Sequence, residues 1–280
     1  MCKFAGKCNS AAMINTRNAI VILVLLGFSS YSIAQSDMDD RKFRLGLQAS
    51  PNLGWFRPDI QGFTKDGLQS RFGFGYGVMV DYKFSDSPNY LLTTGVNITT
   101  NGGGMVEAWR SDVDILDSTY TYLGKNDRTY RMQYVNIPIL LKLRTGDVGY
   151  MSYFGAIGFD ASFRTRAKAN YDYTWNVSPI VSSEPDDVDE VDIKNQMNFM
   201  RLALNVTLGT EYNLTGNTNI YLGLGIHNGF TNIFNAKNNN RVLKALDNGW
   251  PQLDANGNTI ISEKRAAKSL YVSLDVGVYF

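Results

Sequence analysis

From Phe72 to Phe84 apolar residues alternate without a break with small or polar ones. Phe72, Phe74, Tyr76, Val78, Val80, Tyr82 and Phe84 share one parity; Gly73, Gly75, Gly77, Met79, Asp81 and Lys83 share the other. Neighbouring side chains of an extended strand point to opposite faces, so this run predicts a strand with one wholly apolar face. The alternation recurs in Phe43–Ser50, Tyr90–Thr100, Met200–Tyr212, Ile220–His227 and Leu270–Phe280. It is less clean in Met151–Phe163, where Phe154 joins the polar side, and in Tyr130–Leu143. There Tyr130, Met132 and Tyr134 share one parity, Ile139, Leu141 and Leu143 share the other, and Pro138 sits at the flip. A bulge at Pro138 is expected to return all six to one apolar face, because proline is tolerated where the ladder is interrupted. Eight strands result.

Asp86–Asn89, Thr145–Gly149 and Thr215–Asn217 predict tight turns, whereas 56–69, 101–128, 164–195 and 236–268 predict long loops. The last loop should carry its own hairpin, turning at Asn256-Gly257. Short turns on one rim and long loops on the other are the pattern of outer-membrane barrels. The apolar faces are about 9–11 residues long, as a tilted strand needs to cross a bilayer. Lipid offers the backbone no hydrogen-bond partner, so such a sheet must close on itself. With 26 Gly, 16 Tyr, 15 Phe and 7 Pro, the composition also suits an all-β chain. The expected fold is therefore an eight-stranded antiparallel up-and-down transmembrane β-barrel. Its short turns and both termini would be periplasmic, its long loops extracellular, and its setting the lipid of the outer membrane. The competing architecture is a soluble lipocalin-like barrel with its polar faces outward.

The inward faces would carry Arg44, Asp81, Lys83, Arg131, Lys142, Asp160, Arg201, Glu211 and Asp275, a mixed-sign set able to pair inside a narrow barrel. Phe43, Phe72, Tyr82, Phe84, Tyr90, Tyr130, Tyr212 and Phe280, at strand ends, are expected to form interfacial girdles. The net charge of +1 gives no reason to expect a nucleic-acid partner.

The N-terminus reads as an export signal. Lys3, Lys7 and Arg17 precede the apolar run Ala19 to Phe28, and Ser32-Ile33-Ala34 offers small residues for cleavage after Ala34. Met13 offers a second start. Residues 1–34 are thus expected to be a cleaved signal peptide, 35–42 a short periplasmic segment and 43–280 the barrel. Cys2 and Cys8 lie ahead of the cut, so neither a disulfide nor a thiolate site is expected afterwards.

Four stretches resemble the PorT-like family of Gram-negative outer-membrane β-barrel proteins. They are Phe43 to Phe56, Tyr130 to Gly146, Tyr150 to Asp160 and Tyr271 to Phe280, and the most specific is Tyr-x-x-Ile-Pro-x-Leu-Leu-Lys at Tyr134 to Lys142. The resemblance covers nearly all of 43–280 and implies an eight-stranded outer-membrane barrel. The founding member is associated with a secretion and gliding apparatus, but most relatives have no assigned activity. Leu274, Val276, Val278 and Phe280 also resemble the signal that the barrel-assembly machinery reads by strand addition.

No catalytic, cofactor or metal site is expected. His227 is the single histidine, and Gly229, not serine, lies two residues on. A lipid-modifying barrel enzyme would need serine and acid partners for it from other strands. Glu184, Asp186, Asp187, Asp189, Glu190 and Asp192 form an acidic run, the donor type calcium takes, without the glycine and spacing of an EF-hand. Eight strands leave an interior that side chains nearly fill, which argues against an open pore. A structural, recognition or adhesion role is then expected. A subunit role in an envelope or secretion complex is the alternative, and a lipid-modifying enzyme the third. Trp109, Tyr120, Tyr122, Tyr171, Tyr173, Trp175 and Trp250 read either as contact residues or as the outer girdle and packing within the loops.

Overall fold

The computed structural model describes residues 42–58, 69–84, 87, 89–115, 117–175, 188–215, 218–235 and 241–280. The export signal and the segment behind it, through residue 41, lie outside the described residues. Eleven strands follow in chain order: β1 (Phe43–Pro58), β2 (Gln69–Lys83), β3 (Tyr90–Ile115), β4 (Ser118–Arg144), β5 (Met151–Trp175), β6 (Val188–Asp192), β7 (Met200–Thr215), β8 (Thr218–Gly229), β9 (Arg241–Leu243), β10 (Ile261–Lys264) and β11 (Ala267–Tyr279). Eight of them close into an antiparallel ring, β1-β2-β3-β4-β5-β7-β8-β11, with β11 back against β1. β6 adds to the free edge of β5 beyond the ring, and β9 and β10 form a separate two-stranded sheet.

Alternation sets the faces. Phe72, Phe74, Tyr76 and Val78 are exposed on the outer surface, while Gly73, Gly75, Met79 and Asp81 are buried inside. The β2–β3, β4–β5 and β7–β8 connections share one rim with both ends of the barrel chain. There Gly46 pairs with Tyr279, and the Phe280 amide donates to the Leu45 carbonyl at 2.8 Å.

Three expectations are corrected. First, β4 has no parity flip and no bulge at Pro138. Its even-numbered residues from Tyr130 to Lys142 are all buried inside, and its odd ones, Arg131 included, face outward. The β3–β4 register is the same on both sides of Pro138, joining Thr94 to Ile139 and Asn97 to Asn136. The bulge lies in β5, where Gln133 pairs with Arg166 but Tyr134 with Arg164, leaving Thr165 as the extra residue. Tyr130, Met132 and Tyr134 therefore face the lumen and Tyr130 is no girdle residue; Arg131 is not in the lumen. Second, 101–128 is not a loop. β3 and β4 stay paired as far as Ile115 opposite Ser118, and β5 follows β4 out to Trp175 opposite Gly124. Alternating Thr and Asp support that hairpin: Thr119 Oγ1 donates to Asp114 at 2.6 Å and Thr121 Oγ1 to Asp112 at 2.7 Å. Third, Asp189, Glu190 and Asp192 of the acidic run lie on β6, with Glu190 bound to Lys168 at 2.6 Å. The other three acids lie outside the described residues.

The last connection does carry a hairpin. Gly257 has φ +82°, and the amides of Asn256 and Asn258 donate to Asp254 Oδ1 at 2.9 and 2.8 Å.

Candidate functional site

The lumen is filled in three layers. Nearest the short-turn rim, four strands each send one charge to the axis: Arg44 from β1, Asp81 from β2, Lys142 from β4 and Glu211 from β7. Arg44 holds Asp81 at 2.7 Å and Glu211 at 3.0 Å; Lys142 lies 3.1 Å from Asp81 and also binds Glu211. Thr93 and the Tyr279 hydroxyl donate to the second oxygen of Asp81, at 2.6 and 3.3 Å. Arg44 and Lys142 thus meet two carboxylates, Arg144, itself paired with Asp147, reaches Glu211 at 3.7 Å, and Asp81 gains extra donors, which buried ions need. The Lys142 ammonium also stands over the rings of Phe154 and Tyr279, at 4.5 and 4.6 Å. Phe154, the residue out of pattern in β5, is thereby explained as a lumen ring. It lies against Gly209, where a side chain would come within 2.6 Å of its Cζ.

The middle layer centres on His227. Its Nδ1 is 2.6 Å from Asp160 Oδ2 and its Nε2 is 3.1 Å from Ser273 Oγ. An ionised carboxylate only accepts, so Nδ1 carries a proton toward Asp160, and Nε2 shares a hydrogen bond with the serine hydroxyl. Asn205 donates to the other Asp160 oxygen at 3.0 Å. Tyr271 stacks on the imidazole, centroids 4.1 Å apart and planes at 6°, and the Arg201 guanidinium stands over Tyr134 at 4.2 Å. Strand register makes the cluster: Asn205 pairs with His227, His227 with Tyr271, and Asp160 lies two residues from the Gly158 that pairs with Asn205.

This Ser-His-Asp order is that of a hydrolase relay. The surroundings do not support turnover. Ser273 lies mid-strand, in a ladder that pairs its neighbours with both β1 and β8, so its backbone offers no free amides for an oxyanion. The adjoining cavity measures about 60 Å³, room for a few waters and not for an acyl chain. The axial charges flank it on one side and the aromatic mouth on the other.

The third layer fills the mouth at the long-connection rim. Phe56, Met105, Tyr130, Met132 and Tyr134 project inward from the strands. Ile193, Met197, Ile233, Phe234 and Val242 fold back onto them from the connections, and all are buried. Phe56 and Phe234 meet the Tyr130 ring edge-on, at 5.7 and 5.8 Å. Two asparagines stitch the connections. Asn198 Nδ2 donates to the carbonyls of Asn232 and Phe234 at 2.7 and 2.9 Å, and Asn232 Oδ1 accepts from the amides of Phe234 and Ala267 at 3.1 and 3.0 Å. Above them Glu107 binds Arg265 at 2.6 Å and Arg128 at 3.0 Å, and Tyr130 donates to it at 3.2 Å. Burial opposes the Arg128 charge, but Glu107 beside it holds its pKa above the ordinary arginine value; burial and Glu107 together push the Tyr130 phenol up.

Beyond the mouth, the outer parts of β3, β4 and β5 continue as a three-stranded sheet. Trp109 packs against Tyr173 at 5.4 Å, Arg128 stands over Tyr171 at 4.8 Å, and Tyr122 is buried, so these aromatics pack on their own strands. Arg110 donates to Thr259 at 3.2 Å, tying the last connection to this sheet. At the other end of the chain, Leu274, Val276, Val278 and Phe280 line the outward face of β11 and its end, with Leu274, Val276 and Phe280 exposed.

Sequence reasoning placed the four axial charges, His227 and Asp160 in the lumen, and so they are. It missed Ser273 as a partner of His227 and the whole mouth layer. The stretch Tyr134 to Lys142 gains a physical reading. Tyr134 lies under Arg201, Asn136 donates to Thr99 at 2.9 Å, and Lys142 joins the axial charges, while Ile139 and Leu141 face outward.

A family model described as outer membrane protein beta-barrel domain matches residues 33–235. A comparison with curated proteins finds no match. Among solved structures, the chain is similar to Neisserial surface protein A: 11% identity, 84% of this chain and 97% of that one covered, TM-score 0.36. OprG from Pseudomonas aeruginosa gives 11%, 87%, 98% and 0.35, and the outer membrane protease OmpT from Escherichia coli 10%, 89%, 99% and 0.36. None of these likenesses bears on activity.

Proposed function

We propose, from the fact that this chain belongs to the family of outer membrane protein beta-barrel domains, that it is a closed barrel whose work is recognition or adhesion by the sheet beyond its mouth. One observation carries this reading: the lumen is filled at both ends, while β3, β4 and β5 run on past it. From Ala108 to Ile115, beyond the mouth residues Met105 and Glu107, β3 alone adds 8 residues, roughly 26 Å of strand at about 3.3 Å each. A paired sheet presents fixed contact positions at little ordering cost, unlike a floppy loop. In this reading the short-turn rim and both termini face the periplasm, the sheet faces outward, and Leu274, Val276, Val278 and Phe280 address the chain to the barrel-assembly machinery.

The test replaces residues 107–126 by a two-residue turn and displays both forms at equal level on cells. The shortened barrel should keep its heat-modifiable gel migration and lose attachment to surfaces that the full chain binds. Equal attachment by both forms, or none by either, removes the adhesion reading. Specific envelope proteins co-purifying with the shortened form after mild extraction would instead favour the subunit role, alongside the resemblance at Tyr134 to Lys142.

A further inference from the structure

The correction in β4 and the bulge in β5 have a joint effect on the outer surface. With no flip at Pro138, Arg131 points outward. With Thr165 extra, Arg166 and Lys168 point outward beside it, because the bulge switches parity between Phe163 and Arg166. Arg131 pairs across strands with Lys168, and Gln133 with Arg166. On the other side Arg131 pairs with Gly102. Gly102 has no side chain to fill the gap, and Arg71 of β2 lies over it instead: a Cβ at Gly102 would come within 3.1 Å of Arg71 Cδ. Arg131, Arg166 and Lys168 from two strands therefore share one outward patch, with Arg71 at its edge beside Gly102, where β2 shifts register against β3 between Ser70 and Phe74. Around it Thr100, Arg131, Gln133, Arg166, Lys168 and Glu190 enclose a groove of about 200 Å³.

Charge in the patch is not balanced. Two acids border it among the described residues: Glu190, bound to Lys168, and Asp192, which pairs across strands with Lys168 but is bound to Lys194. The Arg71, Arg131 and Arg166 guanidinium groups make no side-chain hydrogen bond or ion pair among the described residues, although Glu190 also acts electrostatically on Arg131. Like charges held side by side repel unless an anion joins them. Among the described residues Arg44, Arg128, Arg144 and Arg265 by contrast each meet a carboxylate, while Arg164 and Arg201 are held by a carbonyl and by two serine hydroxyls.

Depth identifies the anion. Ile98, Val135 and Phe163 are the last apolar residues on the lipid side of these strands, and Thr100, Gln133 and Arg166 are the next outward step. Arg131 lies four residues beyond Val135, about 13 Å of strand and less along the membrane normal because barrel strands tilt. Bilayer headgroups occupy roughly 5–8 Å on each side of the hydrocarbon core. The guanidinium groups thus stand on the lipid-facing side at headgroup depth. Planar, forked donors suit phosphate oxygens, which accept two bonds at once.

We infer that Arg71, Arg131, Arg166 and Lys168 form a docking site for a lipid-borne phosphate in the leaflet that meets the long-connection rim. The ligand lies against the outside of the barrel, with its acyl chains on Phe72, Val135 and Phe163 and its phosphate in the arginine groove. Glu190 limits the affinity by occupying Lys168.

The full-length barrel in maltoside micelles, titrated with bis-phosphorylated lipid A and read by native mass spectrometry, tests this. The wild type should retain the lipid, and R131Q/R166Q should bind it about tenfold more weakly. The variant should keep its heat-modifiable migration, since neither side chain enters the lumen. E190Q should bind several-fold more tightly. The same lipid after phosphatase treatment should bind no better than to R131Q/R166Q, and inorganic phosphate at equal concentration should not displace the intact lipid. Equal lipid retention by wild type and R131Q/R166Q would overturn the site. Undiminished binding of the dephosphorylated lipid would overturn the role of phosphate, and displacement by free phosphate would overturn the lipid source.

Discussion

At the short-turn end of the lumen, Arg44, Asp81, Lys142 and Glu211 meet on the axis; at the other end, Phe56, Tyr130, Met197 and Phe234 fill the mouth with hydrocarbon. The first group comes wholly from ring strands. In the second, half the side chains come from connections that fold back. That contrast separates what the barrel cannot do without from what has been added to it. An ion cluster is worth little as net stability, since desolvation of each charge nearly cancels the attraction, but it is costly to unbalance. A hydrocarbon layer gains stability with every residue and degrades gradually when one is cut back. The charged layer should therefore fail all at once, and the apolar layer locally.

The largest effect is expected at Glu211. Glu211→Leu leaves Arg44 and Lys142 sharing Asp81 alone, in a site where Asp81 and Glu211 are 0% and 1% exposed. Breaking a buried pair in this way costs about 3–5 kcal/mol, and the midpoint of heat- or urea-induced gel migration should fall accordingly. Adding Lys142→Met restores the balance, with Arg44 and Asp81 still paired at 2.7 Å. The double variant should recover most of the loss. A double variant as unstable as Glu211→Leu would mean that shape, not charge balance, governs this layer.

Phe234→Ala comes next. Truncating a core phenylalanine costs about 3 kcal/mol or slightly more, but here the loss should stay in the mouth. Hydrogen exchange at the amides of Ile233, Phe234 and Asn235 should speed up, as should that of Asn198, whose amide donates to Ile233 at 2.8 Å. Gel migration of the barrel should hold. Single-channel conductance should stay at background, because the axial charges still close the far end. Conductance in Phe234→Ala would show that hydrocarbon alone seals the lumen, and would overturn the comparison.

The same contrast explains what could be read from sequence. Residues on ring strands obey the period of two, so Arg44, Asp81, Lys142 and Glu211 were legible as lumen charges, and the apolar runs as the outer face. Above the membrane that rule loses its meaning. Tyr130, Met132 and Tyr134 are apolar and alternate, but no lipid faces them; they turn inward because Phe234 and Ile193 cover them there. Apolar residues inside a covered mouth and apolar residues facing lipid leave the same trace in one strand. Only the unbroken β3–β4 register shows which is present. The polar stitches were less legible still. Asn198 and Asn232 stand 34 residues apart in irregular chain, and no period links them.

The smallest effect belongs to the layer between the two ends. Ser273→Ala removes one hydroxyl at 3.1 Å from His227 Nε2, a single hydrogen bond whose net worth is about 0.5–1.5 kcal/mol. His227→Ala should cost more, because Asp160 loses its 2.6 Å partner and keeps only Asn205. If the trio is a packing device, a fluorophosphonate probe should leave Ser273 unlabelled in the folded barrel, and deletion of the gene should leave the masses of the outer-membrane lipids unchanged. Labelling that His227→Ala abolishes would turn the middle layer into an active site. The mouth layer would then have to open for substrate, and Phe234→Ala, predicted above to affect the mouth alone, should speed the labelling. The two variants together therefore decide whether the aromatic mouth guards a reaction or simply completes a closed wall.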